Sequence, residues 1–405
     1  MNKKRSFIID FGCCLPFGHN LHFVNLYRER EESRGQDAKA IVCRRVGSFK
    51  GIDKKITYSL LPVLYPSLII DTVQNKLIRF YLTLQKQLLS FPLGKTNLLS
   101  IKAYFSVRKV FKKYRMGKGD TIIFPSVEYY GVKAFLKKLG KVKEEERPHV
   151  HLRFIGVLEF SNSYFRNSLS ELVDLMNKNH QTITVSAEVP IYARYLNVVL
   201  PKINVIAEPY PLEDKIISVK KEKNRNADQP FTILLPGTNR TDKGYFDIYN
   251  LAKELLFEFP EARLIVQDMK KWDKSFNKKY QLKLKNLANV QLVDAILPRK
   301  EIEAFYDQAN LILLPYDPNV YYFRGSAIHY EAIMNRIPVL VRKGVGFIEE
   351  VNQWSSGWVY ETKQELFSRI KEIKSMDSQS IDEKMDAAMN NFKKNSDEAY
   401  NFNLS

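Results

Sequence analysis

Short apolar runs alternate with helix-like stretches along most of the chain, and this alternation constrains the fold more than any other feature. Strand-like runs occupy 6–10, 121–124, 151–155, 182–185, 205–207, 231–235, 264–266, 311–314 and 337–341. Apolar residues at helical spacing predict helices that include 21–32, 245–257, 299–308, 366–376 and 381–392. Strands that alternate with helices form parallel sheets with helices on both faces. The sequence therefore predicts an α/β fold.

A polar, charged stretch without periodicity separates the two series of strands; it includes 209–212 and 220–226. A chain of 405 residues is long enough for two ordinary domains. We predict an N-terminal Rossmann-like domain over 1–210, a linker over 211–230, a C-terminal Rossmann-like domain over 231–390 and a tail over 391–405.

The excess of positive charge lies almost entirely in the first half. Residues 1–210 contain 34 basic and 17 acidic residues, a net charge of +17. Residues 211–405 contain 29 basic and 28 acidic residues, a net charge of +1, and the two halves together give the total of +18. A basic domain suits an anionic membrane surface or a phosphorylated acceptor, although a general solubility bias has the same signature. Nucleic acid is not predicted as a partner, because no nucleic-acid-binding motif is present.

The three cysteines, Cys13, Cys14 and Cys43, are too few for a disulfide scaffold or a Cys-rich zinc site. The sequence also lacks Asp-x-Asp and His-x-x-x-His, so we expect no bound metal. No run of about 18 uncharged apolar residues is available for a transmembrane helix. The apolar stretch after the basic N-terminus is too short for a signal peptide. These features predict a cytoplasmic protein.

The most specific segment runs from Leu314 to Val339 and has the pattern strand, loop, helix, strand. Gly325 and Ser326 open the helix, where free amide groups and the helix dipole favour a phosphate. Glu331 follows about one turn inside, where its carboxylate suits the two hydroxyl groups of a ribose. An ordinary loop with a surface glutamate has the same local pattern.

A second segment follows the first strand of the C-terminal half. It contains Gly237, Arg240, Lys243 and Gly244 in the order Gly-x-x-Arg-x-x-Lys-Gly. Arginine binds a phosphate in a bidentate manner and lysine acts as a point charge, so the pair suits a departing diphosphate. The alternative is a solvated turn in which Asp242 caps a helix.

Together these two segments resemble the nucleotide-sugar site of the group 1, GT4-like glycosyltransferases. The resemblance implies the GT-B fold, in which two Rossmann-like domains face each other across a cleft. It implies a UDP- or GDP-linked sugar as donor, no cofactor, and a polysaccharide or lipid-linked glycan as acceptor. Ala327 would also contact the donor, and the base would lie near Leu297. The family-level expectation is a retaining enzyme that works without a metal.

The segment departs from the family pattern at one position. Many members carry a second glutamate eight positions before the one that matches Glu331, but this chain has Phe323 there. The neighbouring Arg324 is predicted to contact a phosphate or a sugar hydroxyl instead. Two alternative functions stay open. The missing glutamate is compatible with a catalytically inactive partner subunit, and the fold is compatible with a nucleotide-sugar epimerase.

Candidates in the N-terminal half are weaker in pattern. Gly18 and His19 lie in the loop after the first strand, where the family has a turn that faces the donor. His19 is predicted to bind a diphosphate or an acceptor hydroxyl, or to act as a base in an inverting reaction; a packed structural histidine is the alternative. Glu128 lies at a strand-to-helix turn and is predicted as an acceptor contact or base. His151 and Arg153 share one face of a strand. They are predicted to face the cleft or to form a buried, hydrogen-bonded pair.

Two stretches, 71–90 and 98–115, combine aromatic and aliphatic residues with lysine and arginine. Such helices lie in the interface of an anionic membrane or pack between domains with a basic solvated face. The first alternative predicts a protein attached to the inner face of the plasma membrane.

Overall fold

The computed structural model describes residues 4–14, 19–44, 46, 56–60, 75–90, 92–93, 96–156, 163–210, 230–237, 239–269 and 276–404. The chain divides into two compact units. Unit 1 comprises Met1–Glu188, Ala193–Pro211 and Ala399–Ser405, and unit 2 comprises Val189–Tyr192 and Leu212–Glu398. Apart from Pro230, the predicted linker 211–230 lies outside the described residues.

Unit 1 is built on a parallel sheet of seven strands in the order β3-β2-β1-β6-β7-β8-β9. These strands are β1 (Arg5–Asp10), β2 (Asp37–Cys43), β3 (Ile56–Leu60), β6 (Thr121–Phe124), β7 (His149–Phe154), β8 (Ile183–Ala187) and β9 (Val205–Ala207). A short antiparallel pair is formed by β4 (Pro92–Leu93) and β5 (Thr96–Asn97). The helices are His19–Ser33, Lys76–Ser90, Leu98–Tyr114, Tyr129–Leu139, Ser163–Lys178 and Pro190–Val199.

Unit 2 is built on a parallel sheet of six strands in the order β12-β11-β10-β13-β14-β15. They are β10 (Thr232–Leu235), β11 (Arg263–Gln267), β12 (Val290–Val293), β13 (Leu311–Leu314), β14 (Val339–Arg342) and β15 (Gly357–Tyr360). The helices are Ile248–Glu258, Lys278–Lys285, Arg299–Gln308, Pro318–Tyr321, Ala327–Met334, Ile348–Gln353, Lys363–Ser375 and Ser378–Leu404.

The predicted α/β class is confirmed, because both sheets are parallel and helices follow their strands. The central strands are apolar because helices cover both faces of each sheet: every residue of β10 and β13 is buried. Six strands were not predicted from the sequence, namely β2, β3, β12 and β15 of the parallel sheets and the short pair β4 and β5. Their residues are less uniformly apolar, and β12 is only half-buried along its length.

Both sheets reverse their strand order at one point. In unit 1 the reversal lies between β1 and β6, which pair in parallel, and in unit 2 it lies between β10 and β13. At such a switch point the loops leaving the carboxyl ends of the two strands diverge and leave a crevice that binds ligands. The sequence segments singled out above follow these four strands.

The C-terminal segment requires a correction. Residues 391–405 were predicted as a tail, but 391–404 continue the long helix Ser378–Leu404. Phe392 and Tyr400 are buried, and the carbonyl of Asn403 accepts hydrogen bonds from His149 Nε2 (3.1 Å) and Thr184 Oγ1 (3.0 Å). Because Ala399–Ser405 belong to unit 1, these contacts of Asn403 lie within that unit. Among the helices of the described ranges, none has both the length and the apolar character needed to cross a membrane.

Candidate functional site

The two segments predicted to bind a ligand meet at the switch point of unit 2. One loop follows β10 and contains Arg240 to Lys243; the other follows β13 and continues into the helix Ala327–Met334. The backbone amide of Asp317 donates a hydrogen bond of 2.9 Å to the carbonyl of Asp242, which joins the two loops directly. The adjacent pairing of β10 and β13 therefore assembles one site from residues about 80 positions apart.

Two glycines give the first loop its path. Gly237 has φ +79°, and a Cβ placed there would lie 2.9 Å from Lys243 Nζ. Gly244 has φ +77°, and a Cβ there would lie 2.6 Å from the carbonyl oxygen of Pro315. Both positions demand a left-handed backbone and close approach, which only glycine tolerates well. The loop consequently holds the Lys243 ammonium group next to the backbone of Gly237.

Arg240 is held by an acidic neighbour. Its Nε and one terminal nitrogen donate to the two carboxylate oxygens of Asp242, at 2.9 and 2.8 Å, and that terminal nitrogen also donates to the Tyr321 hydroxyl at 3.0 Å. Burial is the largest single influence and disfavours both charges, but the mutual hydrogen bonds and the charge interactions together outweigh it, so the pKa of Arg240 is raised and the pKa of Asp242 is lowered. The alternative in which Asp242 caps a helix does not hold, because its carboxylate binds the guanidinium group.

Lys243 is half-buried, and its ammonium nitrogen lies 5.4 Å from the centre of the Tyr316 ring. Burial lowers the pKa of Lys243 to about 8, and the nearby Arg240 charge acts in the same direction. Asp242 and Glu331 partly offset both effects. The side chain is therefore a cation whose charge an anionic ligand would stabilise.

Arg324 adds a third cation from the second loop. Its guanidinium group lies 3.8 Å from the Asp242 carboxylate and 5.7 Å from the centre of the Tyr321 ring. Its Nε is buried and has no hydrogen-bond partner among the described residues. Among the described residues, the carboxylates of Asp242 and Glu331 act on Arg240, Lys243 and Arg324, so the three cations outnumber these two anions.

The helix after β13 begins as the sequence predicts. Ser326 is its N-cap, and its hydroxyl accepts a hydrogen bond of 3.3 Å from the backbone amide of His329. Gly325 precedes the cap and Ala327 is the first helical residue. One turn inside, the Glu331 carboxylate accepts a hydrogen bond of 2.6 Å from the hydroxyl of Tyr306, which fixes its orientation.

The switch point of unit 1 carries acidic groups. Glu128 is the N-cap of the helix Tyr129–Leu139 and accepts hydrogen bonds from the amides of Tyr130 (2.7 Å) and Gly131 (2.6 Å). Burial raises the pKa of Glu128 to about 7. At the end of β1, the Asp10 carboxylate accepts a hydrogen bond of 2.6 Å from the amide of Gly12, and burial raises the pKa of Asp10 to about 6.

The structure describes three of the four remaining candidates of unit 1. His19 is the first residue of the helix His19–Ser33, and Gly18 lies outside the described residues. His151 and Arg153 are both buried on β7. His151 Nε2 lies 2.9 Å from the Glu208 carboxylate, and Arg153 donates to the Glu208 carbonyl at 3.3 Å. These contacts fit the buried, hydrogen-bonded alternative for the pair.

Residues 217–396 match the family model described as glycosyl transferases group 1. The C-terminal unit belongs to the group 1 glycosyltransferases. The matched range contains both loops of the site and the helix that carries Glu331. No curated protein matches the sequence.

Solved structures resemble the chain over its full length. A sucrose-phosphate synthase from Thermosynechococcus elongatus is 13% identical, with a TM-score of 0.66 over 97% of this chain and 94% of its own. A glycosyltransferase from Rickettsia africae is 13% identical, with a TM-score of 0.62 and coverage of 100% and 97%. An Anabaena protein in complex with UDP and glucose is 14% identical, with a TM-score of 0.58 and full coverage of both chains. At such low identity these likenesses establish the fold, which is GT-B.

The candidate site of unit 2 contains three aromatic residues to which the sequence analysis gave no role. Tyr306 holds Glu331, Tyr316 lies beside Lys243, and Tyr321 accepts a hydrogen bond from Arg240. Aromatic residues on helices and at strand ends have the same sequence pattern as core residues, so no local signal separates them. Leu297, predicted near the base, is half-buried just before the helix Arg299–Gln308.

Proposed function

We propose that this glycosyltransferase transfers a sugar from a UDP- or GDP-linked donor to a polysaccharide or lipid-linked glycan in the synthesis of a bacterial-type surface polysaccharide. The observation that carries the proposal is the cationic switch point of unit 2. Arg240, Lys243 and Arg324 gather there on the loops that follow two adjacent parallel strands.

The proposed chemistry assigns the three cations to the diphosphate of the donor. Negative charge grows on the leaving diphosphate as the bond to the sugar breaks, and fixed cations stabilise that charge. Arg240 would exchange its bidentate contact with Asp242 for one with a phosphate, since carboxylate and phosphate have similar geometry for a guanidinium group. A phosphate beside Lys243 would raise the pKa of its ammonium group and keep the side chain fully protonated.

Glu331 is assigned to the ribose and the segment around Leu297 to the base. The Tyr306 hydroxyl already directs one Glu331 oxygen, so the carboxylate is oriented before a ligand arrives. The amides at the start of the helix Ala327–Met334 would face the diphosphate together with Gly237. The bound UDP and glucose of the similar Anabaena protein support a nucleotide-sugar donor of this kind.

We propose retention of configuration and catalysis without a metal ion. Retention rests on the family resemblance. Because Phe323 stands in place of the earlier glutamate, the neighbouring Arg324 would contact a sugar hydroxyl or the diphosphate. The three cations supply the positive charge that a bridging metal supplies in other sugar transferases. The N-terminal domain would bind the acceptor, since the C-terminal domain is assigned to the donor. We place the enzyme at the cytoplasmic face of a membrane, because this N-terminal half is strongly basic.

A thermal-shift screen tests the donor assignment. The protein is heated with UDP, GDP, CDP, ADP and their common sugar conjugates, with and without EDTA. A ligand that binds only the folded state raises the melting temperature. We expect one nucleotide class to do so, equally in EDTA, and Glu331→Ala to abolish the shift.

The matched control is Glu258→Ala, at the exposed end of the helix Ile248–Glu258, which should leave the shift unchanged. Absence of a shift with every nucleotide would contradict the proposal and favour an inactive partner subunit. A shift that disappears in EDTA would contradict catalysis without a metal. Conversion of the nucleotide sugar to an epimer without an acceptor would favour an epimerase.

A further inference from the structure

The helix Lys76–Ser90 of unit 1 turns its large apolar side chains outward. An exposed apolar ridge is formed by Leu77, Phe80, Tyr81, Leu84 and Leu88. The last four of these residues follow Leu77 by three, four, seven and eleven positions, which places all five on one face of the helix. Leu77 is 80% exposed and Phe80 is 69% exposed. Single exposed apolar residues are ordinary, but a contiguous ridge of five marks an interaction surface.

The neighbouring helix Leu98–Tyr114, which contacts the first, has two apolar faces. One face is buried in unit 1 and includes Val107, Val110 and Phe111. Leu98, Ile101 and Phe105 lie at helical spacing on the other side and are exposed. Packing within unit 1 therefore explains the apolar residues of the buried face. The exposed apolar face of Leu98, Ile101 and Phe105 is available to a partner.

The charge of these two helices narrows the choice of partner. They contain eight lysine and arginine residues and no aspartate or glutamate. Lys109 and Lys112 follow Phe105 by four and seven residues, so they continue the exposed apolar stripe, and both are exposed. A second copy of the chain docked symmetrically through this surface would bring two sets of eight cations together, which repel each other.

We propose that the apolar ridge and the stripe of Leu98, Ile101 and Phe105 form a docking surface for an anionic lipid bilayer. The apolar side chains enter the boundary between headgroups and acyl chains, while the flanking lysines meet the lipid phosphates. Tyr81 suits this depth, because its ring is apolar and its hydroxyl remains in the headgroup layer. The inference rests on the proposed function only in that the acceptor is held at or near a membrane.

Vesicle sedimentation tests the proposal with the full-length protein. Phosphatidylcholine vesicles are compared with vesicles that also contain phosphatidylglycerol, each at low and high salt. We expect binding to the anionic vesicles, weaker binding at high salt and little binding to phosphatidylcholine alone. Phe80→Ser with Leu84→Ser should weaken binding at least about tenfold, since both side chains lose apolar contact with lipid.

The controls lie in unit 2. Phe257→Ser removes a side chain that is 83% exposed outside the proposed surface and should leave vesicle binding unchanged. Lys109→Ala with Lys112→Ala should reduce the salt-sensitive part of the binding, whereas Lys279→Ala with Lys285→Ala, also exposed, should not. Equal loss in the unit 1 and unit 2 variants would overturn the assignment of the surface.

Three further outcomes overturn the proposal. One is no sedimentation of the unaltered protein with anionic vesicles. Another is a dimer in analytical ultracentrifugation that Phe80→Ser with Leu84→Ser converts to a monomer, which would assign the ridge to a second copy. The third is capture of an acidic protein through the ridge without vesicle binding.

Nucleotide binding is measured on the same samples. A nucleotide-induced thermal shift in the Phe80→Ser, Leu84→Ser variant shows that the fold and the unit 2 site persist. Failure of the donor assignment would remove that shift and leave vesicle binding as it is. Failure of the docking surface would have the opposite effect, so the two proposals fail separately.

Discussion

The two switch points of the molecule share one strand topology and carry opposite charge. In unit 1, the carboxylates of Asp10, the last residue of β1, and of Glu128, in the loop after β6, accept hydrogen bonds from backbone amides. In unit 2, the loops after β10 and β13 bring Arg240, Lys243 and Arg324 together, and Asp242 lies beside the two arginines. Both sheets reverse their strand order at these places.

The difference shows that topology supplies a crevice and side chains decide its ligand. A helix start with free amides attracts an anion. In unit 1 the amides of Tyr130 and Gly131 are already bound by Glu128, so the protein's own carboxylate takes the place of a ligand. In unit 2 the neutral hydroxyl of Ser326 caps the helix Ala327–Met334, and the cations of the site lie on the neighbouring loops. We therefore expect anions to bind at the second switch point.

Removal of the cations should have the largest effect. Arg240→Ala and Lys243→Ala should each lower kcat/KM for sugar transfer by about a hundredfold or more, because each removes charge stabilisation of the leaving diphosphate. The melting temperature should change little, since both residues lie on a loop. Lys253→Ala, on the exposed side of the helix Ile248–Glu258, is the control. Full activity in either loop variant would remove that residue from the site.

The second-largest effect should come from pH: raising it should weaken donor binding. Lys243 loses its proton as the pH passes about 8 in the free enzyme, so fewer molecules carry the full charge that a diphosphate needs. Between pH 7 and pH 9 we expect the affinity for the nucleotide sugar to fall by about tenfold. Calorimetric titration measures this, and Lys243→Arg should flatten the profile because arginine keeps its proton. A flat profile for the unaltered protein would contradict the role of Lys243.

The acidic switch point should respond in stability and not in donor binding. Glu128→Ala leaves two buried amides without their acceptor and should lower the free energy of unfolding by about 1 kcal/mol. Urea unfolding monitors this change, with Glu145→Ala in an exposed turn as control. Nucleotide affinity should stay the same. A weaker nucleotide affinity in Glu128→Ala would mean that the unit 1 switch point also binds the donor.

The smallest expected effect belongs to Asp242. Its carboxylate competes with the donor diphosphate for Arg240, so Asp242→Asn should raise nucleotide affinity by about two- to fivefold, the size typical of a partly exposed ion pair. The exposed Asp247→Asn nearby should leave the affinity unchanged. Weaker binding in Asp242→Asn would show that this carboxylate positions Arg240 for the donor and does not compete with it.

Much of the fold follows from the sequence because buried parallel strands are continuous apolar runs. β10 and β13 are entirely buried, and their predicted bounds agree with the structure to within one residue. β2 was missed because it begins with Asp37, Ala38 and Lys39, which are half-buried and do not form such a run. The far end of the C-terminal helix was missed because its stabilising contacts, such as those of Asn403, come from a distant part of the chain.

The site was predictable where spacing carries the chemistry. The order Gly237, Arg240, Lys243, Gly244 and the helix start before Glu331 are local patterns, and the structure joins them in one place. Tyr306, Tyr321 and the engagement of Asp242 by Arg240 were not predictable. Each depends on which side chains lie opposite one another after folding.

By itself, the sequence determined an α/β chain with a basic first half and two loops suited to a nucleotide sugar, because hydrophobic period, charge and glycine spacing are local quantities. The tertiary structure decided that β10 and β13 are neighbours, that Glu128 occupies its own helix start, and that burial lowers the pKa of Lys243. It also decided that the ridge on Lys76–Ser90 faces outward. Strand order and desolvation depend on contacts between distant residues, which local spacing does not encode.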